Sequence, residues 1–260
     1  MWDPAQYLKF ADERSRPFYD LTARIRAADP AVVVDLGCGP GQLTASLAER
    51  WPHAEVLGID SSAEMIDAAK RAEYGGEALA GRLSFETGDV RSWQPGRPVD
   101  VITSNAVLQW VPGHEELLPH WADWLAPGGW LAFQLPGNFD QPSHAILREL
   151  AATDRWRERL ATVEFNRQPG EPGRYLDLLA RRGLVVDAWE TTYLHVLHGP
   201  DPVTGWYKGT GLRPALAALP AGEADEFLRQ YGQRVREAYP AEPYGTVLPF
   251  RRLFVVAHRA

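Results

Sequence analysis

Residues 31–41, Ala-Val-Val-Val-Asp-Leu-Gly-Cys-Gly-Pro-Gly, form an apolar run that ends in three glycines within five positions. A strand that is apolar on both faces belongs inside a parallel sheet covered on both sides. Glycines at the turn after it permit left-handed backbone and let the main chain approach a ligand closely. Gln42–Trp51 then reads as a helix stopped by Pro52. This strand–turn–helix unit commits the chain to α/β folding.

The rest of the sequence repeats the alternation. Strands are predicted at 31–36, 54–59, 83–87, 99–104, 130–135, 185–195 and 250–258. Helices are predicted at about 62–74, 115–125, 144–152 and 174–182, with a helical excursion over 201–239. Ser61 and Glu64 have the spacing of a capping box opening the helix after the second strand. Strands alternating with helices imply right-handed crossovers. The expected fold is therefore α/β, a doubly wound, mostly parallel seven-stranded sheet with a helical lid. The expected organisation is a helical cap over 1–29 (one amphipathic helix at 3–28), an α/β core over 30–136, and the remaining sheet with its lid over 137–260. The lid occupies about 140–172 and 200–240.

Charge and composition exclude several classes. The net charge of −7 is wrong for a nucleic-acid binder. Residues 1–136 carry 11 basic and 19 acidic side chains, whereas 137–260 carry 16 and 15, so ligands for an anion are sought in the second half. A single cysteine, Cys38, points to a reducing compartment. The first residues lack a basic segment followed by an apolar one, and no apolar run approaches the ~18 residues of a membrane span. The expectation is a cytoplasmic monomer or weak oligomer with no membrane or nucleic-acid partner.

The chemistry gathers at the carboxyl ends of the first four strands, where α/β folds bind ligands. Gly37, Gly39 and Gly41 are spaced G-x-G-x-G, and Gln42 stands where a dinucleotide fingerprint wants its third glycine. Asp35 sits two residues before the first glycine. A carboxylate there repels a diphosphate but accepts from an ammonium group. Asp60 and Ser61 end the second strand, where an acid accepts ribose hydroxyls. Asp89 and Val90 end the third, suited to an adenine amino group and ring, and Asn105 ends the fourth, beside the ligand's reactive end.

These motifs, Asp35-Leu-Gly-Cys-Gly39-Pro-Gly41, Gly58-Ile-Asp60-Ser-Ser62, Gly88-Asp89-Val90 and Leu125-Ala-Pro-Gly128-Gly129, resemble the class I S-adenosylmethionine-dependent methyltransferases, which have a Rossmann-like fold. The resemblance covers about 30–140 and implies S-adenosyl-L-methionine as cofactor, S-adenosyl-L-homocysteine as product and no metal. Glu13-Arg-Ser-Arg-Pro17, Asn105-Ala-Val-Leu-Gln-Trp110, Trp189–His195, Thr210-Gly-Leu-Arg-Pro214 and Arg252–Ala257 resemble the branch of that superfamily that methylates trans-aconitate. They span most of the chain and imply transfer to a carboxylate of that acid, a small polycarboxylate substrate, giving a monomethyl ester. A carboxylate is ionised at neutral pH, with a pKa near ~4, and needs no general base. No catalytic side chain is therefore sought.

Candidates for the substrate end follow. Arg213 precedes Pro214 at a helix boundary, placed for a bidentate fork or simply on the lid surface. Arg252 interrupts an apolar strand, so it is either paired to an acid of the sheet or turned to the pocket. Tyr193 and His195 share a strand face and are donors or packed rings. Trp110 and Trp206 wall the pocket or fill the core. Tyr7 and Arg16 on the first helix are candidates to close over the cofactor. Rival readings are a methyltransferase of this fold acting on another small molecule and a non-catalytic S-adenosylmethionine-binding module. A nicotinamide-dependent dehydrogenase is disfavoured by the glycine spacing.

Overall fold

The computed structural model describes residues 11–72, 74–76, 79–165 and 169–260. In chain order the elements begin with α1 (Ala11–Thr22), β1 (Val32–Leu36), α2 (Gln42–Arg50), β2 (Glu55–Asp60), α3 (Ala63–Arg71), β3 (Leu83–Thr87) and β4 (Val99–Asn105). There follow α4 (Leu118–Asp123), β5 (Leu125–Pro136), α5 (Pro142–Ala151), α6 (Pro172–Ala180), β6 (Leu184–Leu197), α7 (Pro202–Lys208), α8 (Arg213–Ala218), α9 (Ala221–Ala238), β7 (Ala241–Glu242) and β8 (Gly245–Arg259).

The sheet order is β3-β2-β1-β4-β5-β8-β6, a path of seven strands as expected; the two-residue β7 pairs with β8 as an eighth strand. Neighbours from β3 to β5 are parallel, while β8 runs antiparallel to both β5 and β6. The chain steps outward from β1 to β2 and β3 and then crosses to β4 on the other side of β1. The reversal opens a crevice at the carboxyl ends of β1 and β4.

Period-two alternation fixes which residues face which layer. Leu36, Ile102, Phe133, Leu253 and Val255 pack with Trp121 of α4 and Tyr175 of α6 on one face. Val33, Val101, Ala132, Phe254 and Val256 pack with Leu47 of α2 and Phe18, Leu21 and Ile25 on the other. A third cluster joins α5, α7, α8 and α9 through Leu147, Trp206, Leu212, Phe227 and Tyr231, and it includes Leu197, Leu248 and Phe250. The last three lie where the 14- and 15-residue β6 and β8 outrun the five- to seven-residue strands β1–β4. The overhanging antiparallel pair β6–β8 is therefore the mount for the late helices.

Several element boundaries differ from expectation. The first helix ends at Thr22 rather than near 28; Arg50 takes the carbonyls of Thr22 and Ile25, at 2.5 and 2.7 Å, and so caps the exit. Residues 3–10 lie outside the described residues. The cap of α3 is Ser62, whose hydroxyl accepts from the Met65 amide at 3.3 Å, not Ser61. The helix expected at 115–125 is a single turn at His114–Glu116 followed by α4. The excursion over 201–239 is three helices, separated at 209–212 and 219–220. No helix among the described residues is long and apolar enough to cross a membrane.

Phe254 of β8 is fully buried and lies parallel to Trp189 of the edge strand β6 at 4.9 Å. Phe254→Ala is expected to cost about 3–5 kcal/mol, read as a lowered urea midpoint at unchanged slope; a loss below about 1 kcal/mol would mean the site collapses around the void.

Candidate functional site

A cavity of about 610 Å³ opens where the carboxyl ends of β1, β2, β4 and β5 and the turn after β3 meet α7 and α8. That is ample for a nucleotide-sized ligand with a small second molecule. Its floor is the glycine loop. Gly37, Gly39 and Gly41 have φ of 82°, 56° and 90°, all in the left-handed region. A Cβ on Gly37 would sit 2.0 Å from a Val107 methyl carbon, and one on Gly41 2.6 Å from the Phe85 ring. A Cβ on Gly39 would meet nothing within 4 Å, so this position borders open space on the ligand side.

Asp35 lies beneath the loop, 2% exposed. Thr44 at the start of α2 donates to its Oδ2 at 2.6 Å, and Thr103 in β4 donates to its Oδ1 at 2.9 Å. Burial raises its pKa to about 6, against the lowering effect of the two hydroxyls. Asp60 is held differently: Oδ2 accepts from the Gly39 amide and Oδ1 from the Ser62 amide, each at 2.9 Å. Both acids line the cavity with Ser61. Burial also pushes the Cys38 thiol far up, so it stays protonated.

Asp89 and Val90 line the same wall, with one difference from expectation. The Asp89 carboxylate is chelated by Arg91, through Nε at 3.0 Å, Nη2 at 2.5 Å and the backbone amide at 2.9 Å. The Arg91 guanidinium holds that carboxyl below its ordinary range. Asn105 also lines the cavity. The next residue, Ala106, has φ 57°, strained for a residue with a Cβ. Its amide donates to the Gln134 carbonyl at 3.0 Å, and its carbonyl accepts from Gln109 Nε2 at 2.6 Å.

The opposite wall holds Trp110, Trp206, Arg213 and Arg252, all expected there. Arg252 is 4% exposed, turns to the cavity, and donates from Nη1 to the Gln134 amide oxygen of the sheet at 3.0 Å. The neighbouring Arg251 pairs with two acids, Glu190 and Glu171. Three expected residues fall outside the lining. Tyr193 donates its hydroxyl to Asp20 of α1 at 2.6 Å, and its ring packs on Phe254. His195 stacks on Trp206 at 5.0 Å, and burial lowers its pKa to about 4. His195 lies behind Trp206 and Phe250, which line the cavity, and Tyr193 stacks on His195 farther along the same face. Arg16, with a side chain 70% exposed, sits over the Tyr193 ring at 5.1 Å instead of over the cavity. Tyr7 lies outside the described residues.

The sequence reading missed Asn138, His144 and Tyr207, which line the far end of the cavity. Asn138 Nδ2 donates to the Tyr207 hydroxyl at 2.8 Å, and the His144 ring meets Tyr207 edge-on at 5.0 Å. Burial pushes the His144 pKa down to about 3, so its ring is neutral. Asn138 was findable, since it follows the end of β5 as Asn105 ends β4.

Residues 33–129 match the methyltransferase domain family. The fold is shared with solved structures at low identity. The YcgJ protein from Bacillus subtilis superposes with TM-score 0.59 at 14% identity, covering 95% of this chain and 98% of that one. Geranyl diphosphate C-methyltransferase from Streptomyces coelicolor A3(2), solved with S-adenosyl-L-homocysteine, superposes with TM-score 0.53 at 17% identity over 95% and 79%. Nearer relatives match end to end. The chain is 55% identical to trans-aconitate 2-methyltransferase of Streptomyces avermitilis, over 99% of this chain and 97% of the relative. It is 52% identical to that of Rhodococcus jostii and 48% identical to that of Mycolicibacterium gilvum, covering 99% and 98% of those chains. The chain belongs to the trans-aconitate 2-methyltransferase family.

Membership in this methyltransferase family makes the buried acid under the glycine loop the group to measure. The Asp35 carboxyl is expected to titrate with a midpoint of about 6 in a carbon-13 NMR titration of the ligand-free protein. Thr44→Val removes a donor to the ionised form, so the midpoint should rise. A midpoint in the ordinary range near ~4 would show that the loop leaves Asp35 hydrated.

Proposed function

We propose that this chain transfers the methyl group of S-adenosyl-L-methionine to a carboxylate of trans-aconitate, releasing S-adenosyl-L-homocysteine and a monomethyl ester. The observation that carries the reading is the segregation of charge within one cavity. Asp35 and Asp60 line the end formed by β1 and β2, where Arg91 is paired with Asp89, while Arg213 and Arg252 line the end formed by α8 and β8. The first end suits a ligand with a positive amino-acid portion and a ribose; the second suits a polycarboxylate. The full-length identity to relatives bearing that name supports the same substrate.

The residues fit the cofactor. Space above Gly39 accepts backbone contact, Asp60 is fixed by two amides and would accept ribose hydroxyls, and Asp35 would meet the ammonium side. Val90 would pack against the adenine, and Asp89 would accept its amino group once shared with Arg91. Bound S-adenosyl-L-methionine supplies an electrophilic methyl on a sulfonium, which one carboxylate oxygen takes. The protein needs no base for an oxygen already ionised at neutral pH, so its task is alignment, which can contribute ~7–11 kcal/mol. Arg213 and Arg252 would hold the spare carboxylates, leaving the reacting one to face the methyl group. Trp110 and Trp206 would exclude water. The division into core and helical lid follows, with α7 and α8 carrying the substrate wall.

The test is methyl transfer from labelled S-adenosyl-L-methionine to trans-aconitate, cis-aconitate, isopropylmalate and a neutral phenol. Preference for trans-aconitate is expected. Arg213→Ala should raise KM by about 10- to 100-fold with cofactor binding intact. Turnover on the phenol alone, or none on any acid, would overturn the reading.

The pH dependence has a definite sign. Asp35, with a pKa of about 6, loses most of its charge between pH 7 and 5, while the substrate carboxyls stay ionised. Cofactor affinity should therefore fall by about tenfold toward pH 5, and Asp35→Asn should weaken binding at pH 7 and flatten the profile. Calorimetry at both pH values reads this directly.

A further inference from the structure

Three side chains on three neighbouring strands connect the two ends of the cavity through the sheet. Arg252 on β8 donates from Nη1 to Gln134 Oε1 on β5 at 3.0 Å, and Gln134 Nε2 donates to Asn105 Oδ1 on β4. Gln134 is fully buried, and Asn105 and Arg252 both line the cavity. The direction of this chain is forced. A guanidinium has donors only, so Gln134 must turn its oxygen toward Arg252 and its NH₂ toward Asn105. Asn105 must then answer with its oxygen, which leaves its own NH₂ for the cavity.

We propose that Gln134 is a positioning residue that transmits the polarity of Arg252 to Asn105, so that Asn105 offers an N–H and not a carbonyl to the substrate carboxylate. The inference rests on the carboxylate substrate proposed above. It explains why a buried amide stands among Leu131, Phe133 and Leu135 in an otherwise apolar strand, where an unpaired amide would be costly. A flipped Asn105 would aim a carbonyl oxygen at an anion; Gln134 excludes that state by pairing.

Two variants separate this role from packing and from the charge of Arg252. Gln134→Met removes the relay without adding charge, whereas Gln134→Glu keeps a partner for Arg252 but cannot donate to Asn105, so the Asn105 amide should turn inward. KM for trans-aconitate is expected to rise about tenfold in Gln134→Met and more in Gln134→Glu. The dissociation constant of S-adenosyl-L-homocysteine, by calorimetry, and kcat should each change by less than about threefold. Side-chain amide hydrogen exchange on nitrogen-15-labelled full-length protein supplies a readout free of substrate. In the wild type a Gln134 amide proton should be protected and the Asn105 pair should exchange readily; in Gln134→Glu the Asn105 protons should become protected. Unchanged KM in Gln134→Met, or Asn105 protons protected in the wild type, would overturn the proposal. If the wild type fails to methylate trans-aconitate, the substrate reading fails and the exchange pattern alone decides the relay.

Discussion

The buried carboxylate of Asp35 is the joint on which the site depends. It sits at the end of β1, receives a hydroxyl from α2 and another from β4, and lies directly under the glycine loop. A buried acid with a single donor would be costly to keep ionised; two short hydroxyl contacts hold it at a pKa of about 6. Both hydroxyls sit on different elements, so keeping the charge also fixes where α2 begins and where β4 ends relative to β1. The loop between them has little freedom left. Its glycines are the consequence, since Val107 and Phe85 occupy the space where side chains on Gly37 and Gly41 would go.

Asp60 completes this arrangement from the neighbouring strand. By accepting from Gly39 and Ser62 it fastens the loop to the start of α3, and it does so with both carboxylate oxygens while still facing the cavity. Two acids within one small region repel one another, and that repulsion contributes to the raised pKa of Asp35. A cationic ligand would relieve the repulsion on binding. The same charge arrangement therefore positions the loop, stores unfavourable electrostatics and would favour a cation among the ligands that could enter.

Much of this is legible in the sequence because it is local. An apolar strand followed by glycines places Asp35, Gly37, Gly39 and Gly41, and each later strand end places an acid or amide by the same rule. What is not legible depends on pairing across long separations. Thr103 reaches Asp35 from 68 residues away and Arg252 reaches Gln134 from 118. Neither threonine nor glutamine carries a motif. Tyr193 and His195 show the opposite failure: the shared strand face is correct, but Trp206 and Phe250 stand in front of His195 and α1 claims the tyrosine hydroxyl. Ser61 and Ser62 differ by one residue in which of them caps α3, and only backbone geometry separates them.

The placement of the late helices follows from strand length rather than from any motif. β6 and β8 continue past the carboxyl ends of the parallel strands, and their overhang supplies Leu197, Leu248 and Phe250 to the cluster that seats α7, α8 and α9. Phe250 and Arg252 sit two apart on β8, so one face of the same strand carries both an apolar anchor for these helices and a charge for the cavity. Any shift of the late helices along that overhang would move Trp206 and Arg213 against Arg252. The register of an antiparallel pair, fixed residue by residue from Leu184↔Arg259 to Leu197↔Thr246, thus sets the spacing of the two arginines on which recognition of a multiply charged acid would rest.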